Sequence, residues 1–277
     1  MARNRTKSKR RRSKRKKGSE TSNLVWTIVI VACVGLLVGV GFVSQKLIAK
    51  GVVDKATLCH SDGALNVTSI LLDLTDPLSV TQQSRLKTII SREVEEASVD
   101  TMIALGVVSE DSVNWGAKFA KCKPATGDDA NGLYENPAII AERYEKEFTK
   151  PIQLTLNSML TGATENQSPI MEALQSLISQ TPSFADARGH RKIIMVSDML
   201  QHSDNLSFYR NQGWDYFTQH NGEQRLAGNL SSASIEILRI PRTAVNIPPN
   251  EIVEDFWVRY FDRQGSRPPT VTSLGDL

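Results

Sequence analysis

The stretch "ILLDLTDPLS", Ile70 to Ser79, packs two carboxylates and two hydroxyls into seven positions, Asp73 to Ser79. Oxygen side chains at that density either hold a hard cation or cap a turn and the helix behind it. Two later stretches add the same chemistry. "NQSPIMEAL" puts Ser168 ahead of an apolar helical pattern, and "KIIMVSDML" ends an apolar run in Asp198. Asp73, Thr75, Asp76, Ser168 and Asp198 are therefore the candidate ligands for Mg²⁺, which keeps several waters and needs only two or three protein oxygens. If Asp73 and Asp198 face each other, their repulsion calls for a cation, a proton or a hydrogen-bond network between them.

Other chemistries find less support. The four histidines show no zinc spacing with the cysteines, and neither a P-loop nor a GxSxG elbow is present. "DLTD" resembles the haloacid-dehalogenase phosphatases, but Thr75 stands where that family has its acid-base Asp, and a Thr hydroxyl does not exchange a proton at neutral pH. A metal-dependent phosphatase-like hydrolase and a metal-independent structural subunit of a membrane complex are thus the alternatives to a binding domain, and catalysis is not expected.

Alternating elements would position these residues. "LNVTSILLDLT" is a near-continuous apolar run, as in a parallel strand covered on both faces. "VTQQSRLKTIISREVEEAS" sets Leu86, Ile89, Ile90 and Val94 on one helical stripe. "TMIALGVVS", "RKIIMVSDML" and "ASIEILRIP" read as further strands. Helical patterns cover Ala138 to about Leu160, broken at Pro151, and Ser168 to Ser179, with Ser168 as N-cap and Pro169 at the first helical position. A closing helix, Pro248 to Gly265, carries the stripe Ile252, Phe256, Trp257, Tyr260 and Phe261. This alternation predicts an α/β doubly wound, mostly parallel sheet with helices on both faces. In such sheets ligands bind outside the carboxyl ends of the strands, where Asp73, Asp76 and Asp198 fall.

"LLDLTD", "NQSPIMEAL" and "KIIMVSDML", in that order, resemble the von Willebrand factor A (vWA) domain over roughly Leu65 to Gly265. The resemblance implies a Mg²⁺-dependent adhesion site in which Asp73 is the first Asp of the DxSxS motif, Thr75 its first hydroxyl, Ser168 the Thr opening a later helix, and Asp198 the last Asp. Pro77 stands where the second Ser belongs and Met199 where a Gly is usual, so the site is degenerate, with Asp76 an extra carboxylate. A protein partner whose carboxylate completes the metal is the implied ligand, and the membrane-anchored bacterial members are the nearer comparison.

The remaining chain places the domain. The tail "MARNRTKSKRRRSKRKKG" holds about 11 of the 33 Lys and Arg and no acid, leaving about 22 basic residues against 30 acidic ones elsewhere. Behind it, "LVWTIVIVACVGLLVGVGFV", Leu24 to Val43, has no charge, and about 20 such residues span roughly 30 Å of hydrocarbon. The expected organisation is a basic tail over 1–23, a single transmembrane helix over 24–45, a linker over 46–64, the vWA-like domain over 65–265 and a C-terminal tail over 266–277. The basic excess ahead of the span predicts a cytoplasmic N-terminus and a periplasmic domain, in the cell membrane. The tail's position favours anionic lipid headgroups over nucleic acid as its partner. Gly35 and Gly39 form a GxxxG pair that would let two helices approach as a homodimer, although Gly is common in membrane spans. In an oxidising compartment Cys59 and Cys122, flanking the first two strand blocks, can form a disulfide, with two unrelated buried thiols as the alternative.

Overall fold

The computed structural model describes residues 20–48, 53–132, 135–162, 164–242 and 247–275. The chain divides into two units, Met1–Gly51 and Val52–Leu277. The first holds helix α1 (Glu20–Ile48). Its described side chains, 25–41, are exposed, and among them are Trp26, Val31 and Leu37. Among the described residues no helix is long and apolar enough to cross a membrane. The span expected over 24–45 is therefore not a finding of the structure. Residues 1–19 of the basic tail lie outside the described residues.

The second unit is built on one six-stranded sheet in the order β3-β2-β1-β4-β5-β6. Its strands are β1 (Asn66–Asp73), β2 (Thr101–Val108), β3 (Ala117–Cys122), β4 (Arg191–Ser197), β5 (Ser234–Arg239) and β6 (Thr270–Ser273). All neighbours pair in parallel except β2 with β3, which is antiparallel. The helices are α2 (Val80–Glu96), α3 (Pro137–Tyr144), α4 (Lys150–Leu160), α5 (Ile170–Gln180), α6 (Trp214–Gln219), α7 (Gly222–Leu226) and α8 (Asn250–Arg263).

The period-2 alternation of the central strands feeds two cores. Ile70, Leu72, Ile103, Leu105, Ile194 and Val196 meet Leu86, Ile90 and Val94 of α2 and Ile152 and Leu156 of α4. On the other face, Leu71, Met102, Ala104, Ile193 and Met195 meet Leu174 and Leu177 of α5 and Phe256, Trp257, Tyr260 and Phe261 of α8. Gly106 lets α5 lie close against β2: a Cβ there would stand 2.9 Å from Leu177 Cδ1. Burial on both faces is why β1 and β4 read as continuous apolar runs.

Several local expectations change. The helical stretch before the loop to α5 is not broken at Pro151; it widens into a π-turn over Glu145–Thr149, and Pro151 sits in the first turn of α4. Pro has no N–H for the carbonyl four residues earlier, and Lys121 Nζ donates to that Glu147 carbonyl at 3.0 Å instead. In α8 Ile252 is exposed and Val253 takes the core position. The segment beyond residue 265 is not merely a tail, because β6 extends the sheet; similarly, part of the expected linker folds onto the domain through a turn in which Asp54 Oδ1 accepts from Ala56 N and Thr57 N.

Cys59 and Cys122 are joined, with Cα atoms 4.9 Å apart. The route differs from a bridge between neighbouring strands. Cys122 ends β3, which is separated from β1 by β2, and the segment ahead of β1 reaches β3 directly, Thr57 O accepting from Cys122 N at 2.7 Å.

Candidate functional site

In the strand order the chain turns left from β1 to β2 and right from β4 to β5, so β1 and β4 flank the topological switch point. Crevices in doubly wound sheets open there, outside the carboxyl ends. Asp73 is the last residue of β1, and Asp198 follows the last residue of β4.

Asp73 is 4 % exposed, and both its oxygens are engaged. Oδ1 accepts from Thr75 Oγ1 at 2.7 Å and Thr75 N at 3.3 Å. Oδ2 accepts from Ser197 Oγ at 2.8 Å and Ser168 Oγ at 3.0 Å. Three hydroxyls from the β1 loop, the loop before α5 and the end of β4 thus converge on one carboxylate. Such charge-assisted bonds are about twice as strong as neutral ones.

Ser168 was expected to cap a helix opening with Pro169. Instead α5 begins at Ile170, and the Ser168 hydroxyl is spent on Asp73. The helix start is satisfied from elsewhere, with Gln201 Oε1 accepting from Met171 N at 2.9 Å. Ser168 and His202 exchange two backbone bonds of 2.8 Å. Buried Glu172 of α5 accepts from Gln201 Nε2, Ser203 Oγ and Asn205 Nδ2 at 2.6–3.0 Å, tying the loop after β4 to that helix. Farther along the opening stretch, Ser79 is a helix cap: its Oγ accepts from Gln82 N while Gln82 Oε1 accepts from Ser79 N. The stretch therefore divides, with Asp73 and Thr75 in the strand-end hydrogen-bond cluster and Ser79 in a capping box.

Asp198 is placed differently. Its Oδ1 accepts from Leu200 N at 2.8 Å, and its Oδ2 faces Arg242 Nε at 3.6 Å. Burial and then the charge of Asp73 push its carboxyl up to about 7, against the opposing pull of the Leu200 N–H and Arg242. Asp76 is half-exposed and lies 3.8 Å from Arg242 Nη2. Tyr209, against His202 with ring centroids 5.3 Å apart, is also pushed up, by burial and by the charges of Asp198, Asp76 and Asp73.

Met199 occupies the left-handed region at φ +67°, a conformation costing of order 1 kcal/mol or more for a bulky side chain. Its surroundings impose it. Met199 N donates to Ser197 Oγ at 2.7 Å, Met199 O accepts from Trp257 Nε1 at 2.8 Å, and the side chain is buried. Ser197 consequently links the strained peptide to Asp73.

The expected residues Asp73, Thr75, Ser168 and Asp198 meet at one place, with Asp76 at the rim. Ser197 and Arg242 are the residues the sequence reading missed. Ser197 is adjacent to Asp198 in "VSDML", and Arg242 follows a strand end in "RIPR", so position relative to the sheet edge was the available signal. Among the described residues no three His, Cys, Asp or Glu are grouped to hold a metal ion. A cation would have to draw on hydroxyls, and their chemistry suits a hard one: each hydroxyl gives its proton to Asp73 and keeps lone pairs, and among the described residues Asp198 Oδ2 accepts no hydrogen bond.

The parallel sheet with one reversed edge strand, its acidic residues at the switch point, defines a doubly wound α/β domain. No protein-family model and no curated protein matches the chain. Among solved structures it is similar to a von Willebrand factor type A protein from Catenulispora acidiphila, at 12 % identity and TM-score 0.38, covering 77 % of this chain and 39 % of that one. An aerotolerance-related membrane protein from Bacteroides fragilis NCTC 9343, carrying multiple mutations to serines, is similar at 11 % identity and TM-score 0.38, over 74 % of this chain and 90 % of that one. The minor pilin PilB from Streptococcus sanguinis is similar at 11 % and 0.38, over 76 % and 57 %. The chain thus spans well under two thirds of the first and third of these, and its fold class rests on its own strand order.

Proposed function

We propose that the chain displays a vWA-like protein-interaction domain outside a cell membrane and engages a protein partner at the strand-end site, with Mg²⁺ as its cation. The carrying observation is the convergence of Thr75, Ser168 and Ser197 hydroxyls on Asp73 at the switch point, beside Asp198. Donors on Asp73 are needed by any buried carboxylate; what supports a cation is that the three hydroxyls keep lone pairs beside Asp198 Oδ2. Thr75, Ser168 and Asp198 would hold the ion and Asp73 would orient the hydroxyls; bound there, Mg²⁺ would supply a charged acceptor for a partner carboxylate.

The membrane anchor rests on the uncharged run Leu24 to Val43 and on the exposed apolar side chains of α1. Export fits the Cys59–Cys122 bridge, since disulfides persist in oxidising compartments. The test places a photo-crosslinking residue at Tyr209, beside the site, and at exposed Ile139 as a control, in the full chain in its native membrane. A discrete adduct at Tyr209 alone, lost on chelation with EDTA and in Asp198→Ala, is expected. Adducts that ignore EDTA remove the metal, and equal labelling at both positions removes the site.

A further inference from the structure

We infer that Arg242 is the resident cation of the strand-end site and decides how readily the site admits a divalent ion. This rests on the reading that the site can hold Mg²⁺, and it concerns a residue outside the ligand set.

The placement follows from topology. β5 pairs with β4 in parallel, so the chain leaving β5 emerges at the same edge as Asp198, and Arg242 arrives three residues after Arg239. Its guanidinium bridges two loops, with Nε 3.6 Å from Asp198 Oδ2 and Nη2 3.8 Å from Asp76 Oδ2. Other positions on the acidic cluster are taken. Both oxygens of Asp73 accept hydrogen bonds, and Asp198 Oδ1 accepts from Leu200 N. Between the two inner carboxylates, Asp73 and Asp198, the oxygen left for an external cation is Asp198 Oδ2, and that is the one Arg242 faces.

Both contacts are longer than a hydrogen bond, and Arg242 Nε is buried without a hydrogen-bond partner. Charge and fit hold the guanidinium there, so withdrawing it breaks no hydrogen bond at Asp198. An ion at Asp198 Oδ2 with Arg242 unmoved would lie about 4 Å from a full positive charge. Even in the dielectric of water that repulsion lowers divalent affinity by roughly thirtyfold. A divalent ion therefore binds best as Arg242 leaves, and Arg242 makes the wild-type site a weak one.

The test titrates the full chain, purified in mild detergent, with Mn²⁺ and follows free Mn²⁺ by electron paramagnetic resonance. Wild type, Arg242→Gln, Arg242→Lys and the double variant Arg242→Gln/Asp198→Asn are compared. Arg242→Gln should bind at least tenfold more tightly than wild type, Arg242→Lys should remain weak, and the double variant should lose the gain. Should circular dichroism show Arg242→Gln misfolded, Arg242→Ala is read in its place. Equal affinity of wild type and Arg242→Gln would overturn the inference while leaving the metal reading intact. Absence of millimolar binding in every variant would overturn both.

Discussion

Asp198→Asn isolates the electrostatic cost of the site. The folded protein holds the Asp198 carboxyl up at about 7, from an ordinary 3.8, through burial and the neighbouring charge of Asp73. Between those values the folded state carries a proton that the unfolded chain has released. Stability from this group is therefore complete at about pH 4, falls as pH rises towards 7, and is level above it. At about 1.4 kcal/mol per tenfold in proton affinity the full loss would be about 4 kcal/mol. Relaxation and water entry around a side chain that is 11 % exposed reduce this to on the order of 2 kcal/mol. Asn keeps an oxygen for Leu200 N and removes the charge. The variant should match wild type at pH 4.5 and exceed it by on the order of 2 kcal/mol at pH 8, an increase in melting temperature of roughly 4–8 °C for a domain of this size. Tryptophan-fluorescence melts of the full chain in EDTA between those pH values measure it. Parallel curves for the two proteins would refute the reasoning. A variant less stable than wild type at pH 8 would do so too, because it would mean that Arg242 more than offsets burial and the charge of Asp73.

Asp73→Ala should behave in the opposite sense, costing about 3 kcal/mol or more, because it strands three hydroxyls and the Thr75 N–H in a dry site; a loss below about 1 kcal/mol in urea titrations would show that the network does not hold the loops together. Replacing Cys59 and Cys122 by Ser should cost about 4 kcal/mol on chain-entropy grounds, the bridged residues being 63 apart, and a denaturation midpoint unchanged by reductant would contradict that. Trp257→Phe removes the donor to Met199 O and should cost about 1–2 kcal/mol while allowing Met199 to relax; near-ultraviolet circular dichroism and the melting temperature report it, and an unchanged melt would mean that packing alone imposes the Met199 conformation.

What was legible in the sequence follows the strength of local signals. β1, β2, β4 and β5 are apolar runs flanked by helical stripes, and doubly wound topology then sends Asp73 and Asp198 to one edge without any knowledge of side-chain direction. β3 and β6 were not legible for the same physical reason in reverse. "AKFAKC" and "TVTS" are short edge strands in which only Phe119 and Cys122 are buried, so burial leaves little pattern in them. The short helices α6 and α7 fall below the length at which a helical period can be recognised. Within the site, residue type identified carboxylates and hydroxyls, but spacing does not encode which hydroxyl donates to which oxygen. Ser168 illustrates the limit: a Ser before a Pro has the form of a helix cap, and only the arrival of β1 beside it redirects the hydroxyl to Asp73. Arg242 shows a second limit. Its counter-ions lie in loops 44 and 166 residues earlier in the chain, and nothing local distinguishes it from a solvated arginine. The repulsion between Asp73 and Asp198 was nevertheless foreseeable from the strand ends alone, and it required compensation. The fold supplies a full donor network on Asp73 but on Asp198 a guanidinium only at 3.6 Å, too far to offset burial and the charge of Asp73, which is why removing the charge of one carboxylate should stabilise the domain while removing the other carboxylate should weaken it.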